Sequence, residues 1–157
     1  MNGSDVLVEA NLFFGNPGTY SQADATAVRD SIMAAWSGSR HGYNVTVRLT
    51  QDADVPDINV EFAAGHAGGE GGSRGRDQGG RIIIGGQFNT ATKQGVAGHE
   101  FGHVFQLGHS SATGNLMRPA WAPGNNKVSK QQLKSAIANC RVERKSDEGT
   151  TSTGAKK

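Results

Sequence analysis

The sequence predicts an α+β fold in which three helices pack on one β-sheet. Segments that alternate between apolar and polar residues, as half-buried strands do, are interspersed with three segments of helical periodicity. The length of 157 residues suits one domain with a single core. Glycine is abundant, with 23 residues where the usual ~7% would give about 11. Much of the chain is therefore predicted to form turns and loops.

The predicted elements follow one another along residues 1–140, which we interpret as one domain before a flexible polar tail at 141–157. In order, they are a strand at 6–14, a helix at about 21–36, strands at 44–50 and 58–62, a glycine-rich loop at 65–80, a strand at 81–84, and helices at about 90–106 and 129–140.

Turn residues and periodicity justify the elements of the first half. The first strand ends at the turn cluster Gly15–Gly18. In the first helix, Val28, Ile32 and Trp36 recur at helical spacing, and Ser37-Gly38 ends it. The second and third strands alternate strictly between apolar and polar side chains, which predicts one buried and one exposed face.

Glycine and capping signals justify the second half. The segment Gly65–Gly80 holds eight glycines in 16 residues, which predicts a loop. The β-branched run that follows ends at Gly85-Gly86. In the last helix, Ser129 and Gln132 have the spacing of a capping box, in which each side chain bonds the backbone N–H of the other residue.

Charge and cysteine content exclude several classes of protein. With 16 Lys and Arg against 14 Asp and Glu, the net charge is +2, which argues against a strongly basic nucleic-acid binder. Cys140 is the single cysteine, so no intramolecular disulfide exists, and we interpret it as a packed thiol rather than a metal ligand. No segment approaches the ~20 apolar residues of a membrane span. Residues 1–19 lack the pattern of a secretion signal.

The residues that indicate chemistry lie between His99 and His109. His99 and His103 are four residues apart, so a helix places both imidazoles on one face, where they can bind one zinc ion. Glu100 adjoins the first of them and can act as a general base toward a water at the metal. His109 reaches the same ion only if the helix ends after about Gln106 and the chain turns back.

The segment H-E-F-G-H-V-F-Q-L-G-H, followed by Asn115-Leu116-Met117, resembles the metzincin zinc endopeptidases and, among them, the matrixins. The resemblance is specific over residues 95–121, and elsewhere only the order of the helices and strands agrees. It implies a twisted mixed sheet of about 4–5 strands. It also implies zinc bound by the three histidines, Glu100 as general base, and a methionine turn in which Met117 lies beneath the metal without binding it.

The resemblance also implies a substrate cleft. Pro119-Ala120-Trp121 resembles the segment that forms the outer wall of the pocket after the cleaved bond, so Pro119 and Trp121 are candidate substrate-binding residues. The family's strand before the zinc helix is the sheet edge that pairs with substrate, which implies this role for Ile82, Ile83 and Ile84. The same three isoleucines also suit a buried central strand, although the flanking glycines favour the edge.

Two departures from the matrixin pattern lead to further expectations. Gln106 occupies the position of the glycine that ends the family's zinc helix in a left-handed turn. Either Gln106 adopts that conformation, at a cost of about 1–2 kcal/mol, or the turn moves to Gly108.

In the glycine-rich loop, one histidine is too few for the family's structural zinc. Glu70 and Asp77 are candidate calcium ligands, although a loop without metal is favoured.

Three hypotheses follow for function. The first is a zinc-dependent endopeptidase, a hydrolase that acts on protein or peptide substrates as a monomer without nucleic-acid or membrane partners. The second is a metzincin-like module that binds zinc and peptide with little turnover, which the presence of Gln106 motivates. The third concerns context: the chain suits a protease toxin or effector domain of a larger bacterial protein. The resemblance favours action outside the cell.

Overall fold

The computed structural model describes residues 4–15, 20–51, 56–66, 68–73, 79–86, 88–120 and 122–139. Within these residues the chain forms three helices and one six-stranded mixed sheet, which confirms the predicted α+β class and the three helices. The elements are β1 (Ser4–Phe14), α1 (Gln22–Trp36), β2 (Gly38–Arg40), β3 (Tyr43–Thr50), β4 (Ile58–Ala63), β5 (Gly69–Ser73), β6 (Gly80–Gly85), α2 (Thr90–Val104) and α3 (Lys130–Asn139). The predicted tail at 141–157 and Cys140 lie outside the described residues.

The strand order is β2-β3-β1-β4-β6-β5. The four inner strands run parallel, whereas β2 and β5 pair antiparallel with their neighbours. Six strands exceed the expected 4–5 because two short strands carry no alternating pattern. Strand β2 is joined to β3 by a two-residue turn in which His41 (φ 55°) and Gly42 (φ 85°) both have positive φ, as tight hairpins require.

Two predictions about the sheet edge are wrong. The segment Gly65–Gly80 is not a continuous loop, because Gly69–Ser73 within it forms β5. The run Ile82, Ile83 and Ile84 is not the edge, because β6 lies between β4 and β5. Ile82 and Ile84 are fully buried. The edge beside α2 is therefore β5, and the alternative interpretation of the isoleucines as an interior strand is the correct one.

Helices α1 and α2 pack against each other and on the sheet. Val28 and Ile32 of α1, Phe101 of α2 and Val60 of β4 are fully buried in one core. Burial of each such side chain contributes about 1.5–3 kcal/mol relative to exposure. The Trp36 indole N–H donates to the backbone carbonyl of Gly98 at 2.9 Å, which fixes α1 against α2 next to the histidines.

Side-chain caps define the starts of the helices. Ser21 and Asp24 form a capping box at α1. The predicted box at α3 is also present: Gln132 N–H donates to Ser129 Oγ at 3.2 Å, and Ser129 N–H donates to Gln132 Oε1 at 2.9 Å. Asn89 caps α2, since its Oδ1 accepts from the N–H of Thr92 at 2.9 Å. The cap sets where α2 begins and hence which of its residues face the sheet edge.

Candidate metal centre and cleft

His99 and His103 project from one face of α2, as their spacing predicts. Their Nε2 atoms lie 3.0 Å apart. His99 is buried, with 5% of its surface exposed, and His103 is half-buried. Nitrogens that bind one tetrahedral zinc at 2.0–2.1 Å lie about 3.3 Å apart, so these two need little movement to share an ion.

The chain reverses direction immediately after α2. Gln106 adopts a left-handed conformation with φ 61°. The Gln106 N–H donates to the carbonyl of His103 at 2.9 Å, and the Leu107 N–H donates to the carbonyl of Gly102 at 3.2 Å. This pair of hydrogen bonds is the Schellman motif that usually has glycine at the left-handed position. Gln106 therefore takes the place of the expected glycine, and the turn does not move to Gly108.

The reversal brings His109 to the other two histidines. Its ring centroid lies 5.3 Å from that of His99 and 4.9 Å from that of His103. One ligand atom from each of the three residues lies within 4.8 Å of the others. Among the described residues, this is the one cluster of three or more histidine, cysteine or carboxylate groups that could hold a metal ion. The predicted zinc ligands therefore converge.

Backbone carbonyls orient two of the imidazoles. Nδ1 of His99 lies 2.8 Å from the carbonyl oxygen of Leu116, and Nδ1 of His103 lies 2.7 Å from that of Leu107. A carbonyl only accepts, so each Nδ1 carries the proton and each Nε2 presents a lone pair. Burial lowers the pKa of both histidines, which keeps them neutral. Two lone pairs 3.0 Å apart repel each other, and a cation between them removes that repulsion.

Glu100 lies on α2 directly beneath the edge strand β5. A Cβ at Gly69 would lie 2.9 Å from the carboxyl carbon of Glu100, and one at Gly71 would lie 2.8 Å from its Cα. Only residues without side chains allow this approach. The Glu100 side chain is buried, and burial, with a smaller contribution from the charge of Glu70, raises its pKa to about 7. Such a carboxyl group exchanges protons near neutral pH.

Met117 is fully buried against α2. A Cβ at Gly102 would lie 2.9 Å from the Met117 Cε, so the glycine before His103 leaves room for the methionine. The N–H of Ser110 donates to the Met117 carbonyl at 2.7 Å, which connects this segment to the chain beside His109.

Asn115 holds the segment that orients His99. Its Oδ1 accepts from the N–H of Met117 at 2.8 Å, and its Nδ2 donates to Gln132 Oε1 at 2.9 Å. Asn115 is buried, and the carbonyl of the adjacent Leu116 accepts from His99. Sequence reasoning assigned no role to Asn115, although a polar residue directly before Leu116-Met117 is a weak signal of a turn.

A cleft of about 550 Å³ surrounds the histidines and Glu100. Its remaining lining includes Gly69, Gly71, Phe88, Val96, Pro119 and Ala120. Of the residues expected to bind substrate, Pro119 lines the cleft, Ile82–Ile84 belong to the interior strand β6, and Trp121 lies outside the described residues. Glu70, on β5, also lines the cleft, and Asp77 lies outside the described residues, so the calcium site stays a prediction.

Comparison with known proteins gives no family for this chain. A scan against protein-family models and a search of curated proteins both found no match. In the part of the chain that the structure describes, no helix is long and apolar enough to cross a membrane. Any functional interpretation therefore depends on the site.

Proposed function

We propose that the protein is a zinc-dependent endopeptidase of the metzincin type. The observation that carries the proposal is the convergence of His99, His103 and His109 beside the buried carboxyl group of Glu100, within a cleft bordered by β5, the last strand of the described sheet. Metal ligands, a proton acceptor and a place for an extended chain are the three components that metal-assisted peptide hydrolysis requires.

The donor set fits zinc. Three neutral imidazoles are a common ligand set for catalytic zinc, and a fourth position stays available for water or substrate. The carbonyls of Leu116 and Leu107 hold two of the rings in the required tautomer. Zinc bound there would supply a Lewis acid that polarises the substrate carbonyl and lowers the pKa of water.

Glu100 provides the proton transfers. Its carboxylate accepts a proton from the attacking water and then donates that proton to the nitrogen of the leaving amine. The close packing of Gly69 and Gly71 keeps bulk water away from the carboxyl group, and this burial raises its pKa, which favours uptake of the proton from water. Met117 supports the site as a buried apolar group behind Gly102.

Strand β5 provides the place for substrate. It pairs with β6 on one side and ends the sheet on the other, so its outer backbone groups can pair with an extended peptide. Phe88, Val96, Pro119 and Ala120 give the cleft an apolar wall for a substrate side chain. This role was expected of Ile82–Ile84 and is here proposed for β5.

The hypothesis of a binding module with little turnover is less well supported. That hypothesis was based on Gln106, which occupies the position of the glycine that ends the zinc helix in matrixins. Gln106 adopts the left-handed turn, and the three histidines converge. Glu100 is also retained, which a pure binding protein does not need.

The test is digestion of an unstructured protein by the zinc-loaded chain, with cleavage positions determined by mass spectrometry. We expect cleavage at internal bonds that stops when zinc is removed by a chelator and returns when zinc is added. Glu100→Gln should bind zinc with unchanged stoichiometry and lose cleavage by at least about 100-fold, a typical general-base contribution. His103→Ala should lose zinc. Cleavage by Glu100→Gln at the wild-type rate, or cleavage that the chelator does not affect, would refute the proposal.

A further inference from the structure

Strand β5 offers a paired peptide almost no side chains. Its residues Gly69–Gly72 include three glycines, and Glu70 is the one residue among these four with a side chain. A glycine-rich edge specifies little about the chain that pairs with it, because neither shape nor hydrophobic pattern is presented. Any selectivity from these four residues must therefore come from Glu70.

The direction of Glu70 follows from the strand register. Gly69 and Gly71 pair with Ile84 and Ile82, and this face of the strand lies against α2. Side chains alternate along a strand, so Glu70 projects from the opposite face, beside its partner Ile83. Glu70 is exposed there. A peptide that extends the sheet would place every second side chain on this same face.

Glu70 forms no direct ion pair with Arg81, a cation on the same face of the sheet. The positive charge of Arg81 interacts with that of Glu70 at a distance, but its guanidinium makes its direct bond to the carboxylate of Glu61 at 2.9 Å. Glu70 makes no ion pair with any residue that the structure describes. Its carboxylate is therefore available to a cation on a neighbouring chain.

Glu70 is also close to the bond that would be cleaved. Glu70 directly follows Gly69, whose Cβ position lies 2.9 Å from the carboxyl carbon of Glu100. One residue of an extended strand spans about 3.3 Å. A peptide residue directly opposite Glu70 is thus within about two positions of the cleaved bond.

We propose that Glu70 is a specificity-determining residue that selects lysine or arginine at the peptide position directly opposite it. This inference rests on the proposed function, because it assumes an extended peptide paired with β5. Oppositely charged cross-strand pairs at an exposed site improve pairing up to about fivefold, and like charges weaken it similarly. The preference should therefore be modest, and it should decrease with salt.

The test uses blocked peptides of ten residues in which lysine, glutamine or glutamate is placed at each position in turn. Dissociation constants are measured by NMR titration on the zinc-loaded Glu100→Gln variant, in which cleavage should be slow, and on the metal-free wild-type chain. We expect one position at which lysine binds up to about fivefold more tightly than glutamine, and glutamate more weakly. Glu70→Gln should abolish this difference and Glu70→Lys should reverse it. Asp30→Asn makes the same charge change on α1 and should leave it unaltered.

The results separate this inference from the proposed function. If the lysine preference follows Glu70 while no peptide is cleaved, the inference stands and the peptidase proposal fails. If peptides are cleaved with the same preference in wild type and Glu70→Gln, the peptidase proposal stands and the role of Glu70 is refuted. Absence of peptide binding up to several millimolar would also refute it.

Discussion

Gln106→Gly should stabilise the protein, because Gln106 is held in a left-handed conformation directly after α2. Its φ of 61° brings Cβ too close to the following carbonyl oxygen, at a cost of about 1–2 kcal/mol. Glycine avoids this cost but loses about 0.4–1 kcal/mol more backbone entropy on folding. The difference predicts a gain of about 0.8 kcal/mol in the free energy of unfolding. The exposed glutamine side chain contributes little packing to offset that gain.

Urea denaturation of the metal-free protein measures this gain as a higher transition midpoint with an unchanged slope. Gln106→Ala is the matched control, because it removes the glutamine side chain and keeps Cβ, so its stability should equal wild type within about 0.5 kcal/mol. Zinc affinity should stay similar in all three proteins, since the turn already places His109 correctly. If Gln106→Gly is no more stable than Gln106→Ala, the left-handed turn costs nothing and the reasoning fails.

Three further predictions concern the site and its supports. Gly71→Ala should destabilise the fold by about 1–3 kcal/mol, because the added Cβ overlaps the Glu100 backbone. Gly72→Ala is the control and should be tolerated, because a Cβ there has no atom within 4 Å. Thermal unfolding measures the difference between the two variants. Asn115→Ala should cost about 1–3 kcal/mol through broken buried hydrogen bonds, and it should weaken zinc binding, measured by competition with a chelator. In the metal-free protein, the raised pKa of Glu100 keeps a folded-state proton between pH 4.5 and about 7 that the unfolded chain releases, so the stability that Glu100 contributes falls as pH rises through this window. The lowered pKa values of His99 and His103 act in the opposite direction, so the measurement is the difference between wild type and Glu100→Gln in pH-dependent unfolding. Wild type should lose stability relative to Glu100→Gln as pH rises, and parallel pH profiles of the two proteins would contradict this.

The helices and the three-histidine cluster could be predicted from the sequence because their signals are local. Helical periodicity identifies α1, the paired signals of Ser129 and Gln132 identify the start of α3, and the four-residue spacing of His99 and His103 implies one helix face. Each of these depends on residues within one or two turns of one another. The structure confirms the helices and the convergence of the three histidines.

The sheet edge could not be predicted because its signals are not local. Strand β5 has glycine at three of its five positions, Gly69, Gly71 and Gly72, so it shows no alternation of apolar and polar side chains. The place of β6 inside the sheet depends on its pairing with β4, about twenty residues earlier in the chain, as well as with β5. Three isoleucines suit an interior and an edge strand equally well until that pairing is known.

The glycines of β5 connect the position of Glu100 with the selectivity proposed for Glu70. Gly69 and Gly71 allow the sheet edge to approach α2 so closely that a side chain at either position would overlap Glu100. That approach buries the Glu100 carboxyl group and, with the nearby charge of Glu70, raises its pKa to about 7. Because glycines occupy the face toward α2 and Gly72 adds no side chain on the other face, Glu70 alone remains to contact a peptide along these four residues. The same glycines thus allow the burial that raises the pKa of Glu100 and leave Glu70 as the side chain that this part of β5 would present to a peptide.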